Sequence, residues 1–177
     1  MFVRDGKVVT SPSDLSAAAA CEWAFLRELD ARLGRIDAPP RTEDPMLRRA
    51  AELGDKHEVA VLERLREQHA VVVEIPRPDV RDEASLAEAV ERTQQALAEG
   101  ADVVFQATFA DEDMIGFADF LVRQRDGSYQ VQDSKLARSA KVTALLQLAA
   151  YAEQLARTGV AVARSAVLIL GDGTRSE

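Results

Sequence analysis

The sequence predicts an α/β domain with one mixed central sheet flanked by helices. Its second half runs strand, strand, strand, helix, strand, each run bounded by turn residues. A long amphipathic segment precedes that series, and helices beside a sheet are the arrangement that buries both. The chain has 177 residues, 47% of them hydrophobic, which suits one domain with a real core and no staples.

The elements follow in order. Val8-Val9-Thr10 reads as a short strand. Ser11-Pro12-Ser13-Asp14 is a polar cap followed by an acid, so a helix is expected over Leu15 to Leu33, with Trp23 and Phe25 packing inward and Gly34 as its stop. Ala38-Pro39-Pro40-Arg41 is a connector. Asp44-Pro45 restarts a helix that runs to about His69, since Pro suits the first helical position. Ala50, Leu53, His57, Val61 and Leu65 recur at spacings of three and four and share its inner face.

Ala70 to Ile75 is a β-branched run ended by Pro76-Arg77-Pro78. Glu83 to Glu99 is an amphipathic helix with Leu86, Val90 and Leu97 inward, ended by Gly100. Asp102 to Phe109 is a strand, and 110–113 a turn. Met114 to Gln124 and Ser128 to Lys135 are two strands around Asp126-Gly127. Val142 to Arg157 is an apolar helix stopped near Gly159, and Arg164 to Leu170 is a last buried strand.

Composition excludes several classes. A single cysteine, Cys21, leaves no intramolecular disulfide and no four-cysteine zinc site. No apolar run approaches the roughly 18 residues of a membrane helix. Met1 to Gly6 places charges where a signal peptide is apolar. A soluble, cytoplasmic protein with no membrane partner is expected. The net charge of −8 argues against a coat for nucleic acid, though not against an enzyme whose acidic site holds a metal. The charge is uneven: from Ser134 to Arg164 five positive side chains face Glu153 alone, a net +4, which leaves −12 elsewhere. Such a contrast orients an anionic ligand or simply marks two solvated helix faces.

Familiar motifs fail. His57-Glu58 begins like a zinc-protease helix, but Val61 stands where the second histidine belongs. Gly171 to Ser176 follows a strand as a dinucleotide loop would, yet lacks the third glycine, and no helix or second strand is expected after it. There is no phosphate-binding loop and no serine nucleophile elbow.

One constellation survives. Strand alternation puts Asp133 and Lys135 on the face of Tyr129 and Val131, and Asp119 on the face of Ile115, Phe117 and Leu121. Three charges thus sit on faces that otherwise read as core, and each needs a partner. A two-residue Asp126-Gly127 turn would set Asp119 opposite Ser134. A three-residue loop, Arg125-Asp126-Gly127, sets it opposite Asp133, and with Gly127 at positive φ this is the expected form. Carboxylates on opposed residues cannot both stay ionised without a cation or a shared proton. A divalent metal and Lys135 supply positive charge. His57, on the inner face of the long helix, is either a further ligand or a packed histidine. Gln147 and Tyr151, four apart on the last helix, are either site residues or the polar edge of a core stripe.

Together these pieces resemble the RecB-like branch of the PD-(D/E)XK nuclease superfamily. The matching segments are Gly54-Asp55-Lys56-His57, Gly116-Phe117-Ala118-Asp119, Asp133-Ser134-Lys135 and Gln147-Leu148-Ala149-Ala150-Tyr151, in that order and on the expected elements. The resemblance covers about Ser11 to Leu170. It implies a restriction-endonuclease-like core, α-β-β-β-α-β, in a single domain over 1–177. Relatives often continue into further domains, so the chain is read as a fragment or as the nuclease module, the N-terminal part, of a longer protein.

The resemblance also implies roles. His57, Asp119, Asp133 and the Ser134 carbonyl would bind Mg²⁺ or Mn²⁺. Lys135 would position and help activate the attacking water. Gln147 and Tyr151 would orient the site and contact the nucleic acid. A mixed imidazole and carboxylate site would favour Mn²⁺. Arg138 and Lys141 are candidate phosphate contacts or a solvated loop. The activity implied is hydrolysis of DNA phosphodiester bonds to a 5′-phosphate, of exonuclease type, in repair or recombination, with DNA and a helicase or further domain as partners. Ala118 replaces the proline of the superfamily motif. Cys21 lies where the first cysteine of an iron–sulfur cluster would fall, but the other three are missing, so no cluster is expected. The alternatives are a non-catalytic nucleic-acid-binding or scaffolding module on the same fold, and a metal-free network in which Asp133 pairs with Lys135.

Overall fold

The N-terminal residues form a small hairpin rather than one strand. β1 (Phe2–Arg4) pairs antiparallel with β2 (Lys7–Val9) in the computed structural model, which describes residues 1–4, 6–38, 40 and 44–177. The expected connector over 38–41 lies partly outside these residues. Thr10 joins the hairpin to the main body: its N–H donates to Asp113 O at 2.8 Å, and its carbonyl accepts from Ile115 N at 2.9 Å.

The single helix expected over 15–33 is two helices, α1 (Pro12–Ala20) and α2 (Glu22–Arg32). The backbone between them is extended at Cys21, with φ −160° and ψ 99°. Packing explains the break. α1 lies against the last long helix, where Ser16 Oγ donates to Thr143 O at 2.7 Å, whereas α2 buries none of its residues. Trp23 is 72% exposed, against the expectation that it packs inward, and Arg27 stacks over its ring. Phe25 is half-buried.

α3 (Pro45–Gln68) starts as expected, with Asp44 Oδ1 accepting from Met46 N at 2.8 Å. Its 24 residues span about 36 Å. Only the C-terminal part meets the sheet, so Val61, Leu62 and Leu65 are buried while Ala50 and Leu53 are exposed. The apolar stripe is real, but its first half outruns the surface it was expected to cover.

β3 (Val72–Glu74), α4 (Glu83–Ala98), β4 (Val103–Ala110), β5 (Ile115–Arg123), β6 (Tyr129–Lys135), α5 (Val142–Arg157), β7 (Val167–Leu170) and β8 (Arg175–Ser176) complete the chain. Among the described residues there are thus five helices and one six-stranded mixed sheet, ordered β3-β4-β5-β6-β7-β8. Parallel pairing occurs at β3–β4 and β6–β7, where α4 and α5 cross over, and the other pairs are antiparallel. β8 was not expected: Gly171 to Thr174 form a hairpin turn, with Leu170 N donating to Thr174 O at 2.8 Å. On one side of the sheet Leu121, Val131 and Leu168 pack with Leu97 of α4 and Leu148 and Leu155 of α5. On the other, Phe120, Val122, Val167 and Ile169 pack with Val61, Leu62 and Leu65 of α3. No helix is long and apolar enough to cross a membrane among the described residues.

Candidate active site

The site begins at the β5–β6 turn. Gln124 N donates to Ser128 O at 2.7 Å and Gly127 N to Gln124 O at 2.9 Å, which leaves Arg125-Asp126-Gly127 as the loop. Gly127 takes φ +85°, the left-handed region that glycine enters without steric cost. Asp126 Oδ1 fixes the turn by accepting from Ser128 N and Oγ, at 3.0 and 2.7 Å. The register that follows pairs Arg123 with Tyr129 and Phe120 with Gln132. One more step sets Asp119 opposite Asp133, the arrangement the three-residue loop predicts.

The regular ladder stops at that step. Ser134 N donates instead to Asp119 Oδ2 at 3.0 Å, and Ser134 Oγ reaches the same oxygen at 3.2 Å. Asp133 is only 3% exposed. Lys135 Nζ donates to its Oδ1 at 3.1 Å and lies 2.9 Å from Oδ2, off a hydrogen-bonding direction, so that Oδ2 is left without a hydrogen bond. Burial, then the nearby Asp119 carboxylate, pushes Asp133 up to about 7, with Lys135 pulling the other way. Burial works against the Lys135 ammonium, but Asp133, Asp119 and Glu58 together hold its pKa above the ordinary lysine value.

Asp119, Asp133, Lys135, Gln147 and Tyr151 line one cleft of about 370 Å³. Tyr151 reaches it because residue 116 is glycine: a Cβ there would stand 2.8 Å from Tyr151 Cε1 and 3.0 Å from Pro12 Cδ. Burial, then Asp119 and Asp133, raises the Tyr151 pKa, so its hydroxyl stays protonated at neutral pH.

His57 is not brought to this cleft. Its Nε2 lies 3.4 Å from the Ile169 carbonyl oxygen, on the side where α3 packs against β7 residues. The next residue, Glu58, lines the cleft in its place. Burial, then Asp119, pushes Glu58 up to about 7. Glu58 Oε1 accepts from Gln106 Nε2, and Gln106 also lines the cleft. Arg77, held between Pro76 and Pro78, stacks 4.9 Å from the Phe117 ring centroid on the same wall. Arg138 and Lys141 are exposed, and Lys141 lines a smaller neighbouring cavity that shares Lys135 and Gln147 with the cleft.

Sequence reasoning missed Glu58, Gln106 and Arg77. Glu58 was within reach, because it stands three and four residues before Val61 and Leu62 and so belongs to the stripe that meets the sheet. Arg77 carried a weaker sign, its place between two prolines. Gln106 carried none.

The donors suit a hard cation. Two acceptor oxygens of cleft residues, Asp133 Oδ2 and Gln106 Oε1, are buried without a hydrogen-bond partner. Carboxylate oxygens and a buried amide oxygen in a cleft lined by Glu58, Gln106, Asp119 and Asp133 are donors of the kind Mg²⁺ and Mn²⁺ take. Among the described residues, no group of three or more His, Cys, Asp or Glu side chains is gathered so that it could by itself hold a metal ion. Compared with protein-family models and with curated proteins, the chain finds no match.

Proposed function

We propose that this chain is a metal-dependent DNA nuclease of the RecB-like PD-(D/E)XK type, acting by in-line hydrolysis of a phosphodiester. One observation carries the reading: a single cleft gathers Asp119, Asp133 and Lys135 from adjacent strands with Gln147 and Tyr151 from α5. The order α3, β4, β5, β6, α5, β7 supports a restriction-endonuclease-like core within a single domain.

Asp119, Asp133 and Glu58 would hold the Mg²⁺ or Mn²⁺. When bound, the cation activates water and offsets charge on the phosphoryl oxygens. The remaining chemistry belongs to the chain. Lys135, charged and fixed on Asp133, faces the cleft and stabilises charge that develops on an attacking water and the phosphoryl group. Tyr151 keeps its proton and offers a neutral hydrogen bond. Gln147 adds an amide to the same wall, and Arg77 a guanidinium for phosphate. With Glu58 rather than His57 lining the cleft, the proposed ligand set is all oxygen and lacks the imidazole that would favour Mn²⁺.

A cleavage assay on linear and circular DNA, single- and double-stranded, with Mg²⁺, Mn²⁺ or EDTA, tests this beside Lys135→Ala. Cleavage that needs both the cation and Lys135 is expected, and linear-only cleavage would mark exonuclease action. The Asp133–Lys135 contact favours a second reading, a metal-free ion-pair network. That reading predicts no cleavage and no effect of Mn²⁺ on the unfolding midpoint. A scaffold that retains the site predicts a cation effect without cleavage.

A further inference from the structure

Gln106 lies in the middle of β4 with φ +55°, the one non-glycine residue at positive φ among the described residues. Its neighbours are regular: Phe105 pairs with Phe120 and Ala107 with Ala118. Gln106 itself falls opposite Asp119, where the register skips a pair. No turn calls for the left-handed conformation, and glutamine is not among the residues that enter it readily. A sparsely populated conformation inside a strand persists only where the surroundings hold it, and such positions gather at functional sites.

The side chain shows what the distortion accomplishes. Nε2 donates to Glu58 Oε1, and Oε1 is buried with no partner. Glu58 lines the cleft together with Asp119 and Asp133, although Glu52 and Asp55 on the same stretch of α3 stay exposed. Bringing a third negative group to that place needs a donor, and within hydrogen-bonding distance Gln106 provides it.

We propose that Gln106 is a positioning residue: its left-handed backbone delivers the side-chain amide to Glu58 and so makes Glu58 the third carboxylate of a divalent-cation site, with the amide oxygen free as a neutral donor. The inference rests on the reading of the cleft as a cation site. It differs from the expected ligand set in residue and in element, because a strand residue with no charge decides which helix residue faces the metal.

Calorimetric Mn²⁺ titration of the full chain, together with thermal unfolding in EDTA, tests it. Gln106→Gly accepts positive φ without strain and removes the amide. Its unfolding midpoint in EDTA records what the lost hydrogen bond costs the fold, while Mn²⁺ affinity of the folded protein falls about 10–100-fold, the usual effect of losing an outer partner of a ligand. Gln106→Asn keeps an amide that tolerates the left-handed region but shortens its reach, so it should lose affinity too. In a Glu58→Gln background, Gln106→Gly should cost much less affinity than it does in the wild type, because its main route to the cation is through that carboxylate. Unchanged affinity in Gln106→Gly, or a full second loss in the double variant, would overturn the assignment of Gln106. Absence of Mn²⁺ binding by the wild type is a different result and overturns the cation reading itself.

Discussion

The backbone N–H of Ser134 donates to the Asp119 carboxylate at 3.0 Å, at the point where the β5–β6 ladder ends. A side chain has taken an acceptor place that a strand carbonyl would otherwise hold. Beyond that point Asp119 and Asp133 both line the cleft. Most of the expected behaviour follows from that placement.

Lys135 supplies charge rather than scaffold. Lys135→Ala is expected to reduce DNA cleavage by about 10²–10³-fold, the range for losing one charged donor to a transition state. Mn²⁺ binding should remain, because the carboxylates remain. Calorimetry beside the cleavage assay separates the two, and retained cleavage would remove Lys135 from the chemistry.

The free protein should lose stability as the pH rises. Asp133 and Glu58 titrate at about 7 in the fold, against ordinary values of 3.8 and 4.5. The unfolded chain therefore gives up these protons first, and the folded state is progressively disfavoured from about pH 4 to pH 7. In EDTA the unfolding midpoint is expected to be lower at pH 8 than at pH 5.5. Saturating Mg²⁺ should restore it at pH 8, and Asp133→Asn should flatten the dependence. A wild-type midpoint that is level across that range would contradict the burial of these carboxylates.

Neighbouring residues of α3 should behave differently. Glu58→Gln is expected to weaken Mn²⁺ binding about tenfold or more, whereas His57→Ala should leave it within about twofold and lower stability instead. The distinction follows from the Ile169 carbonyl beside His57 and the cleft beside Glu58. A titration of both variants decides it, and a metal-binding loss confined to His57→Ala would reverse the placement.

Gly116→Ala should destabilise the fold by about 1–3 kcal/mol, since the added methyl meets Tyr151 and Pro12 at 2.8 and 3.0 Å. Tyr151 must move to admit it, so cleavage should fall beyond what the stability loss alone explains. Urea unfolding gives the first quantity, and cleavage by the folded variant at low temperature gives the second.

Much of this was legible in the sequence. Asp126-Gly127 left two loop lengths open, and the three-residue form, with glycine at positive φ, gave the register that pairs Asp119 with Asp133. The run Val142–Arg157 carried its own ends and matched α5. What failed needed tertiary information. Helical spacing places His57 and Glu58 on adjoining edges of one stripe, and only the position of α3 on the sheet decides which edge meets the cleft. Trp23 reads as a core residue by type, but it is exposed on a helix that buries none of its residues. The reversed backbone at Gln106 leaves no mark in composition or periodicity, because glutamine is not a residue that announces it.

Asp119, Asp133 and Lys135 all belong to one hairpin closed by a three-residue loop. Contacts so near in sequence close early and at small entropic cost, whereas the Glu58–Gln106 and Gly116–Tyr151 approaches join distant segments. The repulsion between the two aspartates and the lysine that moderates it therefore belong to one local unit of the chain. A single hairpin carries both the conflict and its remedy, and the walls of the cleft come from segments far away in sequence.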